Sequence, residues 1–188
     1  MIDKIIEESN LSEATVEQLF NAFDPITIPK GKIILREGQV CKNLYFIEKG
    51  LLRTFFVDKK GRNISHWFTF ENQIIAIPRS FFYETNSNYF IEALEEVEAR
   101  KISFTKLNKL FKESHEIEKF GRLLSIQLLI DLNDKFLDLQ FKTAKERYTS
   151  LLDLHPDIFM RVNLGHIASF IGITQQSLSR IRAELMDE

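Results

Sequence analysis

Apolar residues in the first half of the chain come in short bursts cut by glycines. From Ile26 to about Phe70, runs of Ile, Leu, Val, Phe and Tyr are punctuated by Gly31, Gly38, Gly50 and Gly61, seven to twelve residues apart. That spacing predicts short strands closed into a small antiparallel barrel or roll. Pro29-Lys30-Gly31, Glu37-Gly38-Gln39, Glu48-Lys49-Gly50 and Lys59-Lys60-Gly61 each place a glycine where a tight turn calls for positive φ. Between them, LYFI and LLRTFFV read as strands buried on at least one side, Asp58-Lys59-Lys60-Gly61 as a hairpin tip, and ISHWFTF as its returning strand. After IIAIPRSFFYETNS comes a further strand pair, NYFIEALEEVEARKIS, which puts the end of the roll near Ser103.

From Thr105 the apolar period becomes helical. TKLNKLFKESHEIEKFGRLLSIQLLIDLNDKFLDLQF has no proline and one glycine, and a break around Ser114 and His115 divides it into a short helix and a long one. In the long one, Phe120, Leu124, Leu128, Leu132, Phe136 and Leu139 form one stripe. Leu123, Ile126, Ile130 and Leu137 form a second on a different side, at coiled-coil-like intervals. A helix apolar on two faces needs two partners. One face can cover the roll, and the other can meet a second copy of the chain or another domain of the same one. Phe120, Leu123, Leu124, Ile126, Ile130 and Leu137 are the expected contacts of a parallel homodimer. Beyond Lys142, TAKERYTSLLDL is a helix that ends at His155-Pro156, and PDIFMRVN is a connector or short strand.

Composition narrows the field. A length of 188 residues suits a medium domain plus a small one, and 44% hydrophobic residues with 17 Phe argue for a folded chain. The start, MIDKIIEESN, is amphipathic and lacks the basic and apolar regions of an export signal. No apolar run nears the roughly 20 residues that span a bilayer, so a cytoplasmic protein without membrane contact is expected. One cysteine, Cys41, excludes an internal disulfide and an iron–sulfur cluster. His66, His115, His155 and His166 lack paired spacing, so no metal site is expected. Neither a Gly-rich phosphate loop nor a nucleophile elbow is present, which predicts no enzyme, no catalytic residue and no cofactor. A formal charge of −2 offers no general attraction to nucleic acid, so any such binding must rest on a local patch.

The last segment, VNLGHIASFIGITQQSLSRIRAEL, supplies one. Ile167 and Ile171 lie four apart, Gly172 closes that helix, Ile173 follows in the turn, and Leu178, Ile181 and Leu185 recur at helical steps. Ala168 lets a second helix cross the first closely, as in a helix-turn-helix, and the Thr174 hydroxyl can cap that second helix. With its apolar residues committed to a core, the opposite face presents Gln175, Gln176, Ser179 and Arg180, with Arg182 at the flank. Gln can pair bidentately with adenine and Arg with guanine, and hydroxyls reach phosphates. The alternative is the solvated side of an ordinary helical hairpin.

From about Val16 onward the chain resembles the CRP/FNR family of bacterial transcription regulators. LYFIEKGLLRTFFVDKKGRNISHWFTF is similar to that family's β-roll, VNLGHIASFIGITQQSLSRIRAEL to its helix-turn-helix, and a long helix lies between them. The resemblance implies an α+β protein. Residues 1–114 would be a cyclic-nucleotide-binding-like β-roll of the jelly-roll type, 115–142 a dimerisation helix, and 143–188 a small helix-turn-helix domain. It also implies a homodimer on a near-palindromic duplex DNA operator, with RNA polymerase and a small-molecule effector as further partners. Gln175, Gln176 and Arg180 would read bases, and Thr174 would touch phosphate.

Two departures qualify it. Relatives that bind cyclic AMP carry Gly-Glu and Arg-Ser anchors, which fall here on Ala76-Ile77 and Ser87-Asn88. Without charged anchors a cyclic phosphate is poorly held. Arg79 is the one base nearby, and Phe81, Phe82, Tyr83, Tyr89 and Phe90 form either an apolar pocket or plain core. Ile77, Arg79, Phe81, Phe82, Ser87, Asn88 and Tyr89 are thus the candidate effector residues. The sequence also stops at Glu188, where the family's β-hairpin wing would follow. The competing function is a ligand-binding or protein-interaction module that no longer binds DNA.

Overall fold

A computed structural model describes residues 2–186, with side chains from 5 to 185. Two helices come first, α1 (Ile2–Ser9) and α2 (Glu13–Asn21). The Ser12 hydroxyl caps α2 by accepting from the Thr15 backbone N–H. The roll then uses β1 (Asp24–Ile28), β2 (Ile33–Leu35), β3 (Asn43–Lys49), β4 (Leu52–Val57), β5 (Asn63–Thr69), β6 (Ile74–Ile75), the short helix α3 (Pro78–Tyr83), β7 (Phe90–Ala93) and β8 (Val97–Ser103). They build two antiparallel four-stranded sheets, ordered β1-β8-β3-β6 and β2-β7-β4-β5. The glycine turns sit where the sequence spacing puts them. Gly50 has φ +97°, and a Cβ there would lie 2.5 Å from the Glu96 carbonyl oxygen, so this turn admits glycine only.

β4 and β5 are buried on both faces, which accounts for the nearly unbroken run LLRTFF. Leu52 belongs to the core inside the roll, whereas Leu51, Phe68 and Phe70 belong to a second core shared with the C-terminal helices. Arg53, also buried, is held by Glu92 of β7 at 2.7 Å. A buried guanidinium without such a partner would be strongly destabilising.

Next come α4 (Phe104–Glu113) and the 27-residue α5 (His115–Phe141), with Ser114 between them as the N-cap of α5. Gly121 of α5 lets the Phe111 ring of α4 approach, since a Cβ there would meet it at 2.6 Å. α6 (Ala144–Leu154) opens with a capping box between Thr143 and Glu146. The segment expected as a connector or short strand contains a helical turn, α7 (Ile158–Arg161), because Ile158 is buried in the second core and pins it. α8 (Leu164–Phe170) and α9 (Gln175–Met186) follow.

The expected α5 contacts separate along the helix. Phe120 and Leu124, each 8% exposed, are packed into the roll core, and Leu123 is half-buried against it. As far as Leu124, α5 is therefore largely covered by its own chain. Ile126, Ile130 and Leu137 are exposed, joined by Leu129 at 66%, Phe136 at 56% and Phe141 at 77%. No helix among the described residues is long and apolar enough to cross a membrane.

Candidate functional site

The C-terminal helices are locked by local chemistry before any tertiary contact. Asn163 caps α8, accepting from the His166 backbone N–H at 2.8 Å. Gly172, at φ +80°, ends it, and the Ile173 N–H reaches back to the Ala168 carbonyl at 2.9 Å. This is a Schellman closure, which needs a left-handed residue at that point. The Thr174 hydroxyl then accepts from the Ser177 N–H at 3.2 Å and starts α9. Arg147 of α6 donates to the Ile171 carbonyl at 2.8 Å and also to the Lys142 carbonyl, tying the turn to the end of α5.

Ile167, Ala168 and Leu178 are fully buried between α8 and α9, with Ile181 and Leu185 packed against them. Thr174, Gln175, Gln176, Ser179 and Arg180 are all exposed. Arg182 is placed differently: half-buried, its guanidinium lies 5.0 Å from the Phe159 ring centroid. It therefore serves packing rather than the exposed face.

This helical pair is docked on the outer face of β4 and β5. The Ser65 N–H donates to Ser169 Oγ at 3.1 Å, and Phe68 packs on Phe170 with centroids 4.9 Å apart. Arg161 bridges Glu71, at 2.7 Å, and Glu95. Lys135 of α5 runs between the two units, donating to the His66 carbonyl and lying 3.8 Å from the Phe170 ring centroid. Burial pushes its ammonium down to about 7. Burial, then the neighbouring Lys135, pushes His66 down to about 4. Burial, then Arg53, does the same to His166, against the opposing charge of Glu92.

Comparison with known proteins agrees with the order of these parts. Residues 25–114 match the cyclic nucleotide-binding domain family. The fumarate and nitrate reduction regulatory protein of Salmonella typhi is 25% identical, the match covering 91% of this chain and 72% of that protein. Over most of its length the chain is similar to CRP/FNR-type regulators. Among solved structures, FixK2 from Bradyrhizobium japonicum has a TM-score of 0.72 at 20% identity, covering 88% of this chain and 85% of that one. The c-di-GMP responsive global regulator CLP of Xanthomonas campestris has a TM-score of 0.71 at 16% identity, covering 94% and 92%.

Within the roll, the expected effector residues divide. Ile77, Arg79, Phe82 and Tyr89 line a cavity of about 410 Å³ between the sheets and α5. Phe81 is core, at 1% exposed. Ser87 is buried off the cavity wall, its hydroxyl accepting from the Tyr89 N–H at 2.9 Å and donating to the Tyr89 carbonyl at 3.0 Å. Asn88 faces solvent. Sequence reasoning missed the opposite wall, His66, Trp67 and Thr69 of β5 together with Leu124, Leu128 and Leu132 of α5. These residues come from distant segments, and each reads locally as ordinary core.

Proposed function

We propose that the protein is a homodimeric, DNA-binding transcription regulator, with residues 1–114 as the effector domain, 115–142 as the dimerisation helix and 143–188 as the DNA-binding domain. The observation that carries this is the free face of α9, where Gln175, Gln176, Ser179 and Arg180 stand exposed on a helix fixed at its start by Thr174 and Gly172. A helix presented in this way can lie in the major groove and read base edges. The dimer is supported by the exposed stripe Ile126, Leu129, Ile130, Phe136, Leu137 and Phe141, which runs from the middle of α5 to its end. Two-fold symmetry then calls for a near-palindromic site with half-sites about 34 Å apart.

The interface is poor in cations. Of the five Lys and Arg in residues 143–188, Arg147, Arg161 and Arg182 are engaged inside the fold. Phosphate contacts are therefore few, and affinity relies on both half-sites together. The cavity carries no Glu and Arg pair of the kind that holds a cyclic phosphate, which speaks against cyclic AMP held in the usual mode. Capture of genomic fragments followed by sequencing tests the reading. A shared near-palindrome, bound with loss of affinity as salt rises, is the expected result. Absence of any enriched sequence, with no binding to duplex at low salt, would favour the interaction-module reading.

A further inference from the structure

Five of the chain's seven glycines have positive φ, and a sixth, Gly121, makes room for the Phe111 ring. Gly165, in the first turn of α8, has neither reason. Its backbone is that of an ordinary helix, where alanine would be the better residue because glycine loses more freedom on folding. A glycine whose backbone does not require it is explained by what fills the space over its Cα.

Two side-chain amides fill that space. A Cβ on Gly165 would stand 3.3 Å from Gln175 Oε1 and 3.4 Å from Asn163 Oδ1, the first tighter than ordinary van der Waals contact and the second just meeting it. Asn163 cannot give way, because its Oδ1 caps α8 by accepting from the His166 N–H at 2.8 Å. Gln175 is exposed, so a side chain at 165 would displace it instead. The start of α8 therefore sets where the Gln175 amide stands, although α8 carries none of the expected base contacts.

We propose that Gly165 is a positioning residue for sequence readout, its open face letting Gln175 lie back against α8 and present its amide to one base pair at a fixed angle. Base-edge hydrogen bonds depend on such angles. A methyl group at 165 shifts the amide by a few tenths of an ångström, a sizeable part of the ~0.5 Å within which a binding constellation must be held. The inference rests on the reading of α9 as the base-reading helix. It deepens that reading by placing one determinant of base preference on α8, outside the reading helix.

The test is fluorescence anisotropy of the full chain on a duplex selected by the parent, on its single-base variants and on a scrambled duplex. Gln175→Ala first marks the position that Gln175 reads, by losing discrimination there in each half-site. Gly165→Ala should cut discrimination at that same position by about threefold or more, and the bulkier Gly165→Val by about tenfold, with other positions unchanged. In the Gln175→Ala background, Gly165→Ala should change discrimination by less than about twofold, because the two residues act as one unit. The melting temperature of Gly165→Ala should be equal to the parent's or higher. A merely structural glycine would move stability and leave base preference alone. A first helix also crosses the DNA backbone, so the rival role for Gly165 is close approach of a phosphate. That role would weaken every duplex by one factor, scrambled included, with or without Gln175, and this result would overturn the proposal. Unchanged discrimination in both Gly165 variants, or a Gln175→Ala that loses no base preference, would overturn it too, while leaving readout through Arg180 standing. A parent chain without any sequence preference would overturn both readings.

Discussion

The two halves of α5 carry the same residue types at the same helical spacing and meet opposite surroundings. Ile117, Phe120 and Leu124 vanish into the roll core, whereas Leu129, Phe136 and Phe141 project into solvent. The first half, with Leu132 of the second, walls the cavity beneath the sheets. The second passes Lys135 beneath the docked helical pair and otherwise carries a bare apolar stripe. Apolar periodicity therefore measures how much of a helix wants cover. What supplies the cover depends on which elements the chain folds beside it.

The contrast can be broken most forcefully in the buried half. Ile117 is fully enclosed, and Ile117→Ala should lower stability by about 2–5 kcal/mol in chemical denaturation, through lost burial and the cavity left behind. In the exposed half, Ile130→Glu with Phe136→Asp should weaken self-association by at least tenfold, about 1.4 kcal/mol or more, in sedimentation or light scattering. The fold of each separated chain should stay intact, as expected for surface substitutions. Dimers unaffected by this pair of changes would place the interface elsewhere.

A smaller effect comes from the joint between roll and helical pair. His66 and His166 stay neutral in the folded chain down to about pH 4, whereas the unfolded chain takes up those protons near the ordinary value of 6.5. Their contribution is therefore full above 6.5 and falls as pH drops from 6.5 towards 4. The loss should be about 1–2 kcal/mol for each ring, reduced by its partial contact with solvent. Thermal melts should show this slope, and His66→Gln should remove part of it. Lys135 has the same sign in a higher window, its contribution rising as pH climbs from about 7 to 10.5.

Much of this molecule is legible in local chemistry. The glycine turns of the roll, the break at Ser114, the Gly172 closure and the Thr174 cap are all set by residues within a few positions of one another, so spacing alone reveals them. What depends on distant contacts is not legible in that way. Two stripes on α5 are evident from the sequence, but nothing local says that Phe120 and Leu124 turn inward while Leu129 does not. Phe159 beneath Arg182 is a contact between segments some twenty residues apart, so a charge that looks available for phosphate is already stacked. The outer face of β4 and β5 is covered by α8 through Phe68 and Ser65, whereas the run LLRTFFV showed only that β4 is buried on at least one side. The cavity wall was hidden for the same reason, since Thr69 and Leu128 meet only in three dimensions.

The central claim is that the exposed face of α9 reads DNA sequence, and Arg180 tests it most directly. Fluorescence anisotropy should compare the parent and Arg180→Ala on a duplex selected by the parent, on single-base variants of it, and on a scrambled duplex. The account predicts that Arg180→Ala keeps the parent's melting temperature but loses about 1–3 kcal/mol of discrimination at one base position in each half-site. If Arg180→Ala binds the selected duplex as tightly and as selectively as the parent, α9 is not the reading element and the DNA-binding account fails.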